Sequence, residues 1–423
     1  MPPNIHTALF SAPPRPRRRH SILPPIVALL CALLLSACSR NPPPRTLLPQ
    51  DVYVWQRQWT PALRAALSAS NPQVSRWHVL AAELGSSGRW IDIVPETDTL
   101  NGLGKPLLMA VRINGQLARF DAAAIEAHLL QLLADWRQRG LEPVALELDY
   151  DCATARLPEY AAFLTRLKPR LDGVSLAITA LPTWLSSPRL DALLATADEA
   201  TLQVHAVLDP RQGLFDSERA QVWMDDFARR TRRPWHVALP AYGSRVVWDG
   251  NGGIAAIESE RPALAGGNAS ELVAQPRRLE RFVAQLERRP PQGLAGIAWF
   301  RLPSGDDRRA WSLATWLAML ERRPLREGLE VKLAGQQDGP REIVLDNTGN
   351  ADAPLPPRIR IGAACAGDGI NGYALDNDQD GPYLRRTQDG LLRAGVRRNI
   401  GWLRCGDSGD NSDREENILR IGS

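Results

Sequence analysis

The chain has 423 residues, 44% of them hydrophobic, enough to bury one core of roughly 250 to 300 residues and a smaller one beside it. Its 51 Lys and Arg stand against 47 Asp and Glu, a formal charge of +4, which offers no basic surface for nucleic acid. The five cysteines show no Cys/His spacing of a metal-ligand kind, which argues against a zinc site.

In chain order, Arg15, Arg17, Arg18, Arg19 and His20 come first, followed by an apolar run from Ile26 to Leu35. At about ten residues this run is too short for a membrane-spanning helix of roughly 20, so it reads as a secretion signal. Its end, Leu35-Ser36-Ala37-Cys38, resembles the lipobox of bacterial lipoproteins, whose signal is cut before the cysteine and whose thiol is acylated. The resemblance implies a signal peptide over 1–37, a membrane anchor at acylated Cys38, and a Pro-rich tether over 38–48. With Ser39 in second place it also implies sorting to the outer membrane, facing the periplasm. Taking four arginines away from +4 leaves a neutral mature chain.

From 49 to 325 short apolar or β-branched runs alternate with segments of helical period. The runs lie near 51–55, 76–82, 90–94, 107–113, 144–150, 174–180, 201–207, 235–240 and 295–300; the helical segments lie near 123–139, 158–170, 188–196, 217–231, 276–288 and 308–321. Close to eight strand-helix units in about 275 residues predict an α/β fold, a (β/α)8 TIM-like barrel, with function at the C-terminal ends of its strands. Gly102-Leu-Gly104-Lys105 lacks the spacing of a phosphate-binding loop and reads as a turn, and no cofactor is expected.

Residues 326–423 change texture, to short strands between Gly, Asn, Asp and Pro, which predicts a small β-sandwich-like module. In an oxidising periplasm Cys365 and Cys405 are disulfide candidates, leaving Cys152 free. Asp376-Asn-Asp378-Gln-Asp380-Gly381 resembles half of a calcium loop, but its twelfth position is Thr387, so an acidic hairpin turn is the expected form.

Three strand ends carry the chemistry. Val144-Ala-Leu-Glu-Leu-Asp-Tyr-Asp-Cys152 sets Glu147, Asp149 and Asp151 two apart, which puts all three carboxylates on one side of an extended chain. Like charges so close cannot all ionise cheaply, so one should keep its proton near neutral pH, as a general acid requires. Trp235–Gly243 runs into Pro240, Tyr242 and Gly243, and Gly293–Pro303 ends in Trp299 and Arg301. Pyranose rings stack on aromatic faces while their hydroxyls need fixed polar partners. On that basis Trp299 is the expected floor of a sugar site. Tyr242, His205, Arg301 and Gln203 are its expected polar partners, and Trp55, Trp77, Trp184 and Trp248 its walls. Trp136, Trp223, Trp311 and Trp316 sit on helical segments and read as core.

At these motifs the chain resembles the family 18 glycoside hydrolases. Glu147-Leu-Asp149-Tyr-Asp151 matches the end of their Asp-x-x-Asp-x-Asp-x-Glu strand, Leu239-Pro-Ala-Tyr242-Gly243 a later Gly-x-Pro-x-Tyr-Gly, and Trp299 the tryptophan of their last strand. More closely, the mature chain resembles the bacterial domain of unknown function 3142 proteins, a name that confers no activity. The hydrolase resemblance implies a glycan ligand and Asp151 as proton donor, tuned by Asp149 and Glu147. Asp151 is one methylene shorter than the family's glutamate, however. Gln203-Val-His205-Ala206 also stands in place of their Met-x-Tyr-Asp, so the Tyr-Asp pair that would hold an N-acetyl group is absent. A second carboxylate is then needed, and Glu83 is the candidate. Simpler readings stand beside these: Glu147 as a structural ion pair with Arg112, Asp149 as an acceptor for mouth loops, and His205 as a core histidine. The expected function is glycan binding with hydrolysis, and the alternative a barrel that binds a saccharide or envelope partner without turnover.

Overall fold

Eight strands run parallel and close on themselves in the order β1 (Gln50–Val54), β2 (Arg76–Leu84), β4 (Leu107–Ile113), β5 (Ala145–Tyr150), β6 (Ser175–Ala180), β7 (Glu199–Gln203), β8 (Trp235–Pro240) and β12 (Leu294–Phe300), the last pairing back with β1. A ninth strand, β3 (Trp90–Asp92), pairs antiparallel with β2 outside the ring. This computed structural model describes residues 46–205, 214–249, 251, 253–258, 269–336, 339–362, 365–405 and 419–422. The signal peptide and Cys38 expected from the sequence lie outside them. No helix among the described residues is long and apolar enough to cross a membrane.

Between the strands lie α1 (Pro61–Ser70), α2 (Thr97–Leu103), α3 (Ala122–Gln138), α4 (Leu157–Leu167), α5 (Leu190–Thr196), α6 (Ser217–Arg230), α7 (Pro276–Arg288) and α8 (Leu313–Leu320). Local chemistry sets their starts. The side chains of Thr60, Asp121, Asp216 and Ser312 each accept from a backbone N–H three residues on, satisfying a donor that the helix itself leaves open. Residues of odd parity along β1 face inward (Asp51, Tyr53), while Val52 and Val54 pack on the helices. On β12 the inward set is Gly296, Ala298 and Phe300. Gly296 is obligatory there: a Cβ would stand 2.8 Å from Pro49 O and 2.9 Å from the His236 ring.

After Tyr242 the chain forms a three-stranded antiparallel sheet, β9 (Gly243–Trp248) between β10 (Ile254–Glu258) and β11 (Ala269–Val273). The periodicity reading has no element here, because β9 is nearly all apolar at its end and carries no clean alternation.

The C-terminal module packs two four-stranded antiparallel sheets face to face. One orders β13 (Leu329–Ala334), β14 (Arg341–Asn347), β21 (Arg397–Cys405) and β17 (Cys365–Gly369); the other β18 (Tyr373–Asp378), β19 (Gly381–Arg386), β16 (Arg358–Ile361) and β22 (Leu419–Gly422). A small ribbon, β15 (Ala353–Pro354) with β20 (Leu391–Leu392), completes it. Ile343, Leu345, Ile400 and Leu403 from one sheet meet Ile359, Leu384, Tyr373 and Leu419 from the other. Cys365 and Cys405 form the disulfide between β17 and β21, and Cys152 is free and buried. Residues 376–381 form the expected acidic hairpin, β18–β19, and the calcium candidates Asp376, Asp378 and Asp380 are taken by arginines: Asp376 by Arg385, Asp378 by Arg358 and Arg360, and Asp380 by Arg360. The module is tied to the barrel through fully buried Asp352, which accepts from Ser312 N, Ser312 Oγ, Thr315 Oγ1 and Ala394 N.

Candidate active site

The barrel interior has two polar levels. The lower one is a chain of ion pairs. Arg76, reaching in from the N-terminal rim, holds Asp51 at 2.7 Å and both Glu199 oxygens at 3.0 Å. Asp51 Oδ2 lies 3.5 Å from His78 Nε2 and 3.4 Å from His236 Nε2. His78 Nδ1 meets Glu147 at 2.5 Å, and Tyr53 OH donates to the other Glu147 oxygen at 2.5 Å. Burial alone would depress His78, but the Glu147 and Asp51 carboxylates outweigh it and lift its pKa to about 9. Asp51 is opposed by burial too, yet its bond to His78 and the surrounding cations bring it to about 2. His236, whose Nδ1 has no partner among the described residues, is driven down to about 4 by burial.

The upper level opens at the C-terminal ends of the strands. Asp149, 6% exposed, accepts from Thr179 Oγ1 at 2.6 Å and Gln203 Nε2 at 2.9 Å. Asp151 follows the strand end, its side chain one-third exposed, with Arg112 Nη2 at 3.5 Å. Burial first, and the Asp151 charge second, push Asp149 up to about 7 against the opposing pull of Arg112. Asp151 is raised by burial and partly restrained by Arg112. The two carboxyls and one guanidinium therefore hold a proton near neutrality, as the spacing of the motif requires.

Beside them, His205 stacks on Phe300 with ring centroids 5.3 Å apart, its Nδ1 is 3.4 Å from Tyr242 OH, and its buried Nε2 has no partner among the described residues. Burial lowers His205 to about 4 and raises Tyr242 to about 12, so both are neutral at pH 7. Arg301, 3% exposed, is held by Asp307 at 2.5 Å. The hollow over Asp149, walled by Tyr53, Trp55, Gln203, His205 and Phe300, measures ≈ 10 Å³, about one water. A groove of ≈ 580 Å³ adjoins the rim at Gln56, Arg57, Thr60, Arg301, Ser304 and Asp306.

The structure thus gathers Asp149, Asp151, Gln203, His205, Tyr242, Arg301 and Trp55 at one end of the barrel. Glu83 is there also, opposite Arg112 in the β2–β4 register and ion-paired with Arg57. Glu147 is in the lower level, fully buried, and its partners are His78 and Tyr53; Arg112, the partner expected from the sequence, belongs to Asp151. Trp299 is not the floor. It faces outward, wholly buried against Trp311 and Trp316, and donates to Gln50 Oε1. Phe300, one residue on, has the inward parity and lines the hollow over Asp149. The small Gly296 and Ala298 mark that parity, and they are the signal from which Phe300 is readable. Trp77 and Trp184 are likewise buried, bonded to Asn71 Oδ1 and Cys152 O, and Trp248 lies on β9 against Ser270. His78 and Tyr53 carried no motif, since each looks like ordinary strand residues until its barrel neighbours are known. No group of three or more His, Cys, Asp or Glu among the described residues is arranged for a metal ion.

No curated protein matches the chain in sequence. Among solved structures, the chain is similar to several glycan-cleaving enzymes by name, all at low identity. The spore cortex-lytic enzyme SleL of Bacillus cereus is 15% identical with a TM-score of 0.47, over 66% of this chain and 75% of that one. A chitinase from Chromobacterium violaceum is 15% identical with a TM-score of 0.45, over 65% and 98%. Chitinase ChiA74 from Bacillus thuringiensis is 9% identical with a TM-score of 0.45, over 85% and 98%. In sequence, residues 103–305 match a domain of unknown function, DUF3142, and residues 330–406 a second, DUF8456.

Proposed function

We propose that the C-terminal mouth of the barrel binds a glycan and cleaves a glycosidic bond by acid catalysis. The reading is carried by one observation: Asp149 and Asp151, two residues apart, lie in the field of one Arg112 guanidinium, which ion-pairs with Asp151, in a partly buried cluster. Asp151 is the member that reaches solvent, so it gives its proton to the leaving oxygen. Asp149, fixed by Thr179 and Gln203, keeps a proton on the pair at neutral pH. His205 and Ala206 take the sequence positions of the Tyr-Asp pair with which the resembled hydrolases hold an N-acetyl group, and the nearby Gln203 is already committed to Asp149. Water is then activated by a separate carboxylate, and Glu83, ion-paired with Arg57 at the same end of the barrel, is the candidate. His205 Nε2 and Tyr242 OH supply hydrogen bonds to sugar hydroxyls.

A second reading, binding without turnover, is favoured by a different observation. The ≈ 10 Å³ hollow over Asp149 admits no ring, which leaves the sugar in the adjoining groove. Assay of the parent and Asp151→Asn on envelope oligosaccharides separates the two. Hydrolysis by the parent, reduced roughly 10²- to 10⁴-fold in the variant with binding retained, supports catalysis. Binding by both without turnover supports the second reading, and no binding by either ends both.

The protein in this reading is a lipid-anchored envelope protein facing the periplasm. Support comes from the Arg-rich start, the short apolar run and Leu35-Ser36-Ala37-Cys38. Cys38→Ser should move it from the membrane pellet to the soluble fraction; retention in the pellet would count against the anchor.

A further inference from the structure

A second space lies where the barrel meets the C-terminal module. It is a cleft of ≈ 680 Å³, within the roughly 300–1,000 Å³ range of small-ligand sites. Glu271, Arg308 and Arg309 wall it on the barrel side, and Gln388, Arg393 and Arg398 on the module side. It shares Asp306 with the groove at the barrel mouth, so the two spaces adjoin along the loop after β12.

Four guanidinium groups and four carboxylates line the cleft, so net charge does not select its ligand. Hydrogen bonding does. Every carboxylate is already engaged: Glu271 by Arg309, Asp389 by Arg386, Asp306 by Thr60 and Ser304, and Asp352 by the four donors of the junction. Arg393 is fixed in place by donating to the carbonyls of Asp307 and Ala310 across that junction. The side chains of exposed Arg308 and half-buried Arg398 make no hydrogen bond or ion pair among the described residues. What the cleft offers a ligand is therefore free N–H forks, with the Gln388 amide beside them and no free carboxylate. No aromatic ring lines it among the described residues, so stacking is not its mode of recognition. An arginine fork matches a carboxylate with two parallel bonds.

We infer that this cleft binds a carboxylate-bearing stretch of a glycan chain, with Arg308 and Arg398 closing on its acid groups from opposite domains. The inference rests on the glycan reading of the barrel mouth for the class of ligand, while the cleft's selectivity rests on its own residues. It gives the C-terminal module a part in choosing the chain.

The test uses the full mature chain and fluorescently labelled oligogalacturonate, with labelled dextran oligosaccharide as neutral control, read by anisotropy. Oligogalacturonate should bind and dextran should not, and added salt should weaken binding. Arg398→Ala should weaken it about tenfold, and Arg308→Ala with Arg398→Ala further, since a charge-assisted bond to carboxylate is lost each time. Neither side chain bonds within the described residues, so an unchanged Tm is expected and verifies the fold of each variant. Asp151→Asn should leave oligogalacturonate binding unchanged, whatever it does to turnover. Equal binding of dextran, no binding of oligogalacturonate, or unchanged binding by the double arginine variant would overturn the inference. Loss of binding in Asp151→Asn would also overturn it, by placing the ligand in the mouth.

Discussion

Glu147 and Asp149 sit two residues apart on one strand and point into the same barrel, yet they belong to different kinds of chemistry. Around Glu147 each charge meets an opposite one: His78 on one oxygen, then Asp51, Arg76 and Glu199 in succession toward the N-terminal rim. Around Asp149 the charges do not balance so simply, because Asp151 crowds it and a single Arg112 serves both. A carboxylate's role is thus set less by its place in a motif than by the strands that face it. The lower level is a sealed ionic pillar; the upper level is a reservoir for one proton.

The largest effect should come from breaking the pillar. His78→Leu leaves Glu147 buried without its cation and should cost about 3–5 kcal/mol in urea unfolding. Adding Glu147→Leu should recover much of that loss, since removal of both charges is far less costly than removal of one. If the single variant is as stable as the parent, Glu147 is not held by charge and the contrast between the levels fails.

A pH profile sharpens the contrast. Asp149 has a folded pKa of about 7, above its ordinary 3.8, so the folded state holds a proton the unfolded chain has released. Stability should therefore fall as pH rises from about 4 to 7, by up to about 1.4 kcal/mol per pH unit. Asp149→Asn keeps the acceptor for Thr179 and Gln203 and should remove that slope, making the variant the more stable one above pH 7. His78, raised to about 9 from 6.5, contributes stability in full below pH 6.5 and loses it as pH climbs through 9. That second decline should survive Asp149→Asn and vanish in His78→Leu; one merged decline affected by both variants would show the levels to be a single network.

The smallest effect should be at the rim. Arg112 and Asp151 have side chains 43% and 33% exposed, so Arg112→Gln should change stability by less than about 1 kcal/mol. Loss of the cation should nonetheless raise the pKa of the Asp149–Asp151 pair, and carbon-13 NMR of the labelled carboxyls would follow the shift. A large stability loss with no change in titration would place Arg112 with the pillar instead.

Much of the architecture could be read from the chain. Strand and helix segments such as 107–113 and 276–288 fall where alternation put them, because an outward apolar face and a proline at the first turn of a helix are local signals. The carboxylate cluster was legible for the same reason, being a matter of spacing on one strand. Partnerships across the barrel were not. That Glu147 faces His78 instead of Arg112 depends on the stagger between strands, which no single strand encodes. Trp299 misled because a tryptophan draws notice, whereas the parity of Gly296 and Ala298 selects Phe300. The β9–β11 sheet escaped because its pairing is with itself and leaves no helical partner to punctuate it.

Asp352 has one more implication. By capping the start of α8 from outside the barrel, it makes the final helix of one domain depend on a side chain of the next. A fragment truncated near residue 325 would lose that cap and expose a helix end that evolved under cover. The two domains should accordingly melt as a single cooperative unit, and a gene shortened to the barrel should yield a weaker fold than its strand count suggests.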